Sequence, residues 1–113
     1  MDWIRLTSEE QLEQIRNHSA TKPQVIFKHS IRCGISSMAL SRLERTYVPM
    51  NADFYLLDII SYRSISNKIA ADFQVPHESP QVLVIANEKC VYDESHSGIN
   101  MDEIEEQTQF HKA

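Results

Sequence analysis

The fold is decided by the stretch VIFKHSIRCGISSM (residues 25–38), in which a short apolar strand runs into an amphipathic helix with Cys33 at the junction. Backbone N–H groups at the amino-terminal end of a helix favour the thiolate form of a cysteine placed there. Cys33 is therefore predicted to be a nucleophile rather than a packing residue. Ser36 stands where a two-cysteine redox motif carries its second thiol, so the predicted site has a single thiol, with the Ser36 hydroxyl and N–H close enough to stabilise the charge on the sulfur.

Length and composition indicate one compact domain spanning residues 1–113. The chain has a hydrophobic content of 42%, which is enough for one core without disulfide or metal staples. Its two cysteines, Cys33 and Cys90, are far apart in sequence, and the histidines form no pair at metal-ligand spacing, so no metal site is expected. A net charge of −5 provides no basic stripe, which argues against a nucleic-acid partner.

The pattern of apolar residues predicts four helices and four strands. The amino terminus is predicted to enter the first helix directly, with a capping box formed by Thr7 and Glu10. The second helix is expected to use Met38, Leu40 and Leu43 as apolar positions. In chain order, we predict a helix ending near His18, a strand over 24–28, a helix over about 33–47, a strand over 53–58, a helix containing Ile65, Ile69 and Phe73, strands over 81–86 and 89–92 joined by a tight turn at Asn87-Glu88, and a helix capped by Asn100.

The order α-β-α-β-α-β-β-α predicts an α/β fold, a four-stranded mixed sheet flanked by helices on both faces. This topology resembles that of thioredoxin-like proteins. Two features coincide with that family: a cysteine at the first strand-to-helix junction, and the pair Ser79-Pro80 just before the third strand. The resemblance implies that Pro80 is cis and lies against the active cysteine, although a proline that begins a strand is also compatible with a purely structural role.

The phrase FKHSxxCxIS (residues 27–36) resembles the monothiol bacilliredoxins, the YtxJ-like proteins of bacteria that use bacillithiol in place of glutathione. The resemblance implies that Cys33 attacks a mixed disulfide between bacillithiol and a client protein, takes the bacillithiol onto itself and releases the reduced client. It implies bacillithiol as co-substrate, bacillithiolated proteins as partners and no other cofactor. Backbone groups of Ser79 and Pro80 are expected to align the incoming thiol in a short extended pairing.

Three basic side chains near Cys33 in sequence, Lys28, His29 and Arg32, are predicted to favour the thiolate. Lys28 and Arg32 are also candidates for binding the carboxylates of the small thiol. Taken singly, each of the three is more often a solvated surface charge. Cys90 lies in the last predicted strand, at an expected sheet edge far from the site, and is interpreted as a packing residue rather than a resolving cysteine.

A second hypothesis comes from the resemblance of CGIS (residues 33–36) to the Cys-Gly-Phe-Ser pattern of monothiol glutaredoxins, which hold a [2Fe–2S] cluster between two subunits. On that reading the protein is a cluster-binding module without catalytic activity. The sequence has no run of the ~20 apolar residues that a membrane span requires and no apolar leader, so we expect a cytoplasmic protein with reduced thiols and no membrane partner.

Overall fold

The computed structural model describes residues 1–111 as a five-stranded sheet with helices on both faces. The elements are β1 (Ile4–Arg5), α1 (Glu9–His18), β2 (Gln24–His29), α2 (Gly34–Thr46), β3 (Asp53–Asp58), α3 (Arg63–Phe73), β4 (Gln81–Ala86), β5 (Lys89–Ser95), a short 3-10 helix (His96–Gly98) and α4 (Met101–Phe110). No helix in this described part of the chain is long and apolar enough to cross a membrane.

The strands lie in the order β1-β3-β2-β4-β5. β1, β3 and β2 run parallel, whereas β4 is antiparallel to β2 and β5 is antiparallel to β4. The prediction of a mixed sheet is confirmed, and so is the position of β5 at an edge. The predicted number of strands is wrong by one, because Ile4 and Arg5 form a strand only by pairing with Tyr55 and Leu56 of β3. Two residues are too short to show an alternating pattern in sequence.

The predicted capping box of α1 is displaced by one residue. Ser8 is the N-cap, and its side chain accepts a hydrogen bond from the backbone N–H of Gln11. The Gln11 amide reaches back to the N–H of Ser8 at 3.1 Å and donates to the carbonyl of Arg5 at 2.8 Å. Thr7 and Glu10 have the same spacing as Ser8 and Gln11, so the sequence pattern fits both pairs. The hydrogen bond from Gln11 to the carbonyl of Arg5 favours the Ser8–Gln11 pair as the capping box.

The two faces of the sheet carry separate apolar clusters. α1 and α3 cover one face and α2 and α4 cover the other, because successive side chains of a strand point to opposite sides. The first cluster consists of Leu6, Leu12, Ile15, Ile26, Tyr55, Leu57, Ile59, Ile65, Ile69, Val75, Leu83 and Ile85. The second consists of Val25, Phe27, Ala39, Leu43, Phe54, Leu56, Val82, Val84, Ile99, Met101 and Ile104. Along β2, therefore, Phe27 packs under α2 while Ile26 packs under the opposite helices.

Two local predictions in the second half of the chain are confirmed. Asn87 and Glu88 have φ angles of 52° and 67°, the left-handed conformation that a two-residue hairpin turn requires at both positions. Asn100 caps α4, since its side-chain oxygen accepts a hydrogen bond from the Glu103 N–H at 2.9 Å. The cap bond is local, and the turn conformation follows the backbone preference of its own residues, which explains why sequence patterns find both. The structure adds two hydrogen bonds that the sequence does not indicate: the N–H groups of Asn87 and Glu88 donate to the carbonyl and the hydroxyl of Ser19, each at 2.9 Å.

Candidate active site around Cys33

Cys33 is the N-cap residue of α2 and has an extended backbone. Its carbonyl accepts the first bond of the helix, from the Ser37 N–H at 3.0 Å. The N–H groups of residues 34–36 belong to the first turn, where a helix has no acceptors of its own for them. The Cys33 thiol is free and partly exposed. A helix amino terminus and an accessible thiol are thus brought together as the sequence predicts.

The loop between β2 and α2 is held through both backbone groups of Ser30. The Ser30 carbonyl accepts a hydrogen bond from the Cys33 N–H at 3.1 Å. The Ser30 N–H donates to the Ser36 hydroxyl oxygen at 3.0 Å. The position of Cys33 is therefore tied through this loop to Ser36, one turn further along the helix.

Ser36 is fully buried, and its hydroxyl has a partner that the sequence did not suggest. Ser36 Oγ lies 2.7 Å from Nδ1 of His29, in addition to its bond from the Ser30 N–H. No hydrogen bond between the Ser36 hydroxyl and the Cys33 sulfur is found among residues 1–111. The hydroxyl at the position of a second thiol thus acts on the loop and on His29 instead of contacting the sulfur.

His29 is the residue whose part in the site the sequence analysis underestimated. Its ring is buried, with 7% of the residue exposed, and stacks on Phe27 with ring centroids 6.0 Å apart. Burial lowers the pKa of His29, which the Asp58 carboxylate partly opposes. The ring is thus held as a neutral hydrogen-bonding group, so the prediction that His29 supplies a positive charge is wrong. The alternation of Val25, Phe27 and His29 along β2 places all three under α2 and is the signal that indicates this contact.

Lys28 does not reach the site, and its predicted role in binding substrate is wrong. Strand alternation turns it to the face covered by α3, where it is fully buried. Its Nζ donates to the carbonyl of Ser66 at 3.2 Å and lies 3.3 Å from Nδ1 of His77. Burial lowers the pKa of Lys28 to about 8. The amino group therefore joins α3 to the loop that precedes Pro80.

Replacing Lys28 by Met is expected to raise stability most at neutral pH. Because the pKa of Lys28 falls from 10.5 unfolded to about 8 folded, its burial costs stability below about pH 8, and that cost disappears as pH rises through 10.5. We therefore compare the free energy of unfolding of Lys28→Met with that of the natural protein. The excess of the variant over the natural protein should fall by roughly 3 kcal/mol between about pH 7 and pH 11. Urea unfolding of both proteins across this range measures it, and a difference independent of pH would contradict the assignment.

Ser79 and Pro80 lie at the same end of the central strands as Cys33. The Ser79–Pro80 peptide bond is cis, as the resemblance implied. The register pairs Lys28 with Gln81, so Pro80 adjoins the end of β2 from which the loop to Cys33 starts. The Pro80 carbonyl accepts a hydrogen bond from the His96 N–H at 3.1 Å. Pro80 is buried, and the Ser79 hydroxyl is buried without a hydrogen-bond partner in the described residues.

Three exposed apolar residues lie close to Cys33 in sequence. Ile31, Ile35 and Met38 are 60%, 62% and 68% exposed, and we call these three residues the apolar rim. Of the three apolar positions predicted for α2, Leu43 is buried and Leu40 partly buried, whereas Met38 is exposed. Large apolar side chains exposed to solvent in this way are candidates for contact with other molecules. Arg32, also exposed, lies between Ile31 and Cys33 in sequence.

Cys90 lies on the edge strand β5 and is half-buried. Its Sγ donates to the carbonyl of Tyr92 at 3.2 Å, and burial raises the pKa of Cys90 to about 11. Cys90 therefore remains a neutral thiol at physiological pH. Across residues 1–111, no three His, Cys, Asp or Glu side chains come together in a way that could hold a metal ion.

Comparison with known proteins agrees with this geometry. Solved structures define the fold: a thioredoxin variant from Halobacterium salinarum NRC-1 has a TM-score of 0.76 at 11% identity, covering 99% of this chain and 92% of its own. Fasciola hepatica thioredoxin has a TM-score of 0.71 at 21% identity, with coverages of 96% and 98%. These similarities confirm the thioredoxin fold.

A structure described as a candidate oxidoreductase with a thioredoxin fold is more similar in sequence. It has a TM-score of 0.81 at 31% identity, covering 94% of this chain and 92% of its own. The family described as Monothiol bacilliredoxin BrxC matches residues 4–104. The chain belongs to the monothiol bacilliredoxin family, as the residues around Cys33 indicated, and its role is of the thiol oxidoreductase type.

Proposed function

We propose that this protein removes bacillithiol, or a similar small thiol, from mixed disulfides with client proteins by a monothiol mechanism. The Cys33 thiolate attacks the bacillithiol sulfur, the bond between bacillithiol and the client breaks, and a new disulfide forms between Cys33 and bacillithiol. The client sulfur leaves as a thiolate and takes up a proton. The disulfide is transferred without net oxidation, so the step needs no metal or nucleotide.

The observation that carries this proposal is the pair of residues at the start of α2. Cys33 presents a partly exposed thiol at the helix amino terminus, and the position three residues later holds a buried hydroxyl. Ser36 has no sulfur with which to expel the captured thiol, so the captured bacillithiol must leave by attack of an external thiol. Cys90, with its pKa raised to about 11 on the edge strand β5, is a poor replacement for a second active thiol.

The surroundings of Cys33 support recognition of both halves of the mixed disulfide. The backbone at Ser79 and the cis Pro80 lies at the same end of the central strands as Cys33 and would offer a pairing segment for the cysteinyl part of the small thiol. Arg32 is exposed beside Cys33, where its charge would attract carboxylates of that thiol. The apolar rim would contact the client. A cytoplasmic location would keep Cys33 reduced and ready for this exchange.

Intact mass spectrometry after incubation with oxidised bacillithiol tests the proposal. The natural protein should gain the mass of one bacillithiol at Cys33, and the adduct should persist until a second thiol or a reductase is added. The matching assay supplies a client carrying a bacillithiol mixed disulfide and follows transfer of that mass from client to Cys33. Failure of the adduct to form at Cys33, with the protein folded and reduced, would contradict the proposal.

An absorbance spectrum of anaerobically purified protein distinguishes the alternative function, binding of a [2Fe–2S] cluster, from thiol exchange. A thiol protein without cofactor shows no visible bands, whereas a bound cluster is coloured. A coloured protein whose colour is lost in Cys33→Ala would favour the cluster-binding module. A colourless protein that forms the adduct would favour the exchange reaction.

A further inference from the structure

We propose that His29 is a positioning residue of the exchange reaction and acts on Cys33 through the hydroxyl of Ser36. This inference rests on the proposed function for its biological meaning, but the contacts that carry it are independent of the substrate. Those contacts form a connected path from the end of β2 to the reactive thiol. His29 touches Ser36, Ser36 touches Ser30, and Ser30 touches Cys33.

The first step of the path follows from the hydrogen-bonding capacity of a hydroxyl, which has one donor and two acceptor sites. The Ser30 N–H can only donate, so it uses one acceptor site of Ser36 Oγ at 3.0 Å. Nδ1 of His29 lies 2.7 Å from the same oxygen. In a neutral ring with its proton on Nε2, Nδ1 accepts a hydrogen bond from the Ser36 hydroxyl. That bond directs the Ser36 proton to His29 and leaves the oxygen lone pairs to hold Ser30.

The second step concerns the loop from Ser30 to Cys33. Ser30 is held on one side by Ser36 and on the other by the Cys33 N–H, at 3.0 and 3.1 Å respectively. A Ser36 hydroxyl that is free to rotate holds the Ser30 N–H less well, and the loop can then shift. The Cys33 side chain accepts no capping hydrogen bond in this structure. N–H groups at the start of a helix favour an anion placed beside them. The loop sets the position of the sulfur relative to those groups, so a shift of the loop is expected to lower the reactivity of Cys33.

The third step is that His29 is itself held rigidly. Its ring stacks on Phe27, and its carbonyl accepts a hydrogen bond from the Ile59 N–H at 3.0 Å. The charged groups that act on it are Asp58 at the end of β3, Arg5 in β1 and Glu44 in α2, with Asp58 and Glu44 raising the pKa of His29 and Arg5 lowering it. Burial has the largest effect and lowers the pKa of His29, so the ring is available as an acceptor near neutral pH.

A double-mutant cycle tests whether His29 acts through Ser36. The variants are His29→Leu, Ser36→Ala and the double variant, each made with Cys90→Ala so that Cys33 is the only thiol. The readout is the rate of alkylation of Cys33 by iodoacetamide at neutral pH, together with thermal unfolding. We expect each single change to slow alkylation about tenfold, and the double variant to react no more slowly than either single variant.

His29→Asn is the rescue variant, because its side-chain amide places a hydrogen-bonding group near the position of Nδ1. It should recover most of the alkylation rate lost in His29→Leu. Should His29→Leu fail to fold, His29→Gln takes its place in the cycle, since its amide stands near the position of Nε2 instead. A merely structural role for His29 would lower the melting temperature of all these variants without distinguishing Asn from Leu or Gln in the alkylation rate.

The inference is overturned if His29→Leu slows alkylation by the same factor with and without Ser36, or if it changes only the melting temperature. Coupled alkylation rates combined with no bacillithiol adduct would support the role of His29 and contradict the proposed function. Formation of the adduct combined with independent effects of His29 and Ser36 on alkylation would support the proposed function and contradict the role of His29. The two proposals therefore fail separately.

Discussion

A Cys33→Ala variant is expected to lose all removal of bacillithiol from a client mixed disulfide. Without the sulfur there is no nucleophile, and no neighbouring side chain can form the intermediate disulfide. Cys33→Ser should be equally inactive, because a serine hydroxyl does not ionise at neutral pH and cannot exchange with a disulfide. The measurement is release of bacillithiol from a labelled client, followed by mass spectrometry of both proteins.

Cys90→Ala is the matched control for this experiment. Cys90 lies on the edge strand, donates its thiol proton to the Tyr92 carbonyl and has a pKa raised to about 11, so it stays protonated at neutral pH. Its removal should leave the rate of bacillithiol release close to that of the natural protein. An inactive Cys90→Ala variant that folds normally would show that a second thiol takes part and that the monothiol mechanism is wrong.

Replacing Ser36 by Cys is expected to convert a stable adduct into an internal disulfide. The new thiol lies three residues from Cys33 and can attack the Cys33–bacillithiol disulfide, which releases bacillithiol and closes a bridge within the chain. Incubation with oxidised bacillithiol should therefore give a mass gain of one bacillithiol in the natural protein. In Ser36→Cys it should give only the loss of two hydrogens.

Ser41→Cys is the control for this variant, because Ser41 is exposed and lies on α2 about two turns beyond Cys33. A thiol there is displaced by about 12 Å along the helix axis and is out of reach of Cys33, so the adduct at Cys33 should persist. Two results would contradict the mechanism. One is a persistent adduct in Ser36→Cys, and the other is rapid formation of a Cys33–Cys90 bridge in the natural protein.

Ser36→Cys should also disturb the natural hydrogen bonds at this position. The serine oxygen is bonded to the Ser30 N–H and lies beside Nδ1 of His29, and sulfur is a weaker partner for both. The reactivity of Cys33 toward iodoacetamide in this variant, measured with the bridge reduced, reports that loss separately from bridge formation.

The sequence alone determined the features that depend on neighbours along the chain. Strand β2 followed by the α2 helix places Cys33 at the helix amino terminus, because an apolar run meets an amphipathic one there. The turn at Asn87-Glu88 follows from backbone preference, although Ser19 also holds it, and the cap at Asn100 follows from local hydrogen bonding. The phrase around Cys33 was also sufficient to indicate the family that residues 4–104 match.

Only the tertiary structure decided which residues surround the thiol. Ile4–Arg5 becomes a strand because β3 offers it a pairing edge, which no local pattern records. Lys28 and His29 are adjacent in sequence, but consecutive side chains of a strand point to opposite faces of the sheet. Lys28 therefore contacts α3, and His29 contacts Ser36. α2 packs on the face of the sheet to which His29 points, and α3 packs on the face to which Lys28 points. Lys28 therefore links α3 to the loop before Pro80, whereas His29 becomes a hydrogen-bonding partner of Ser36.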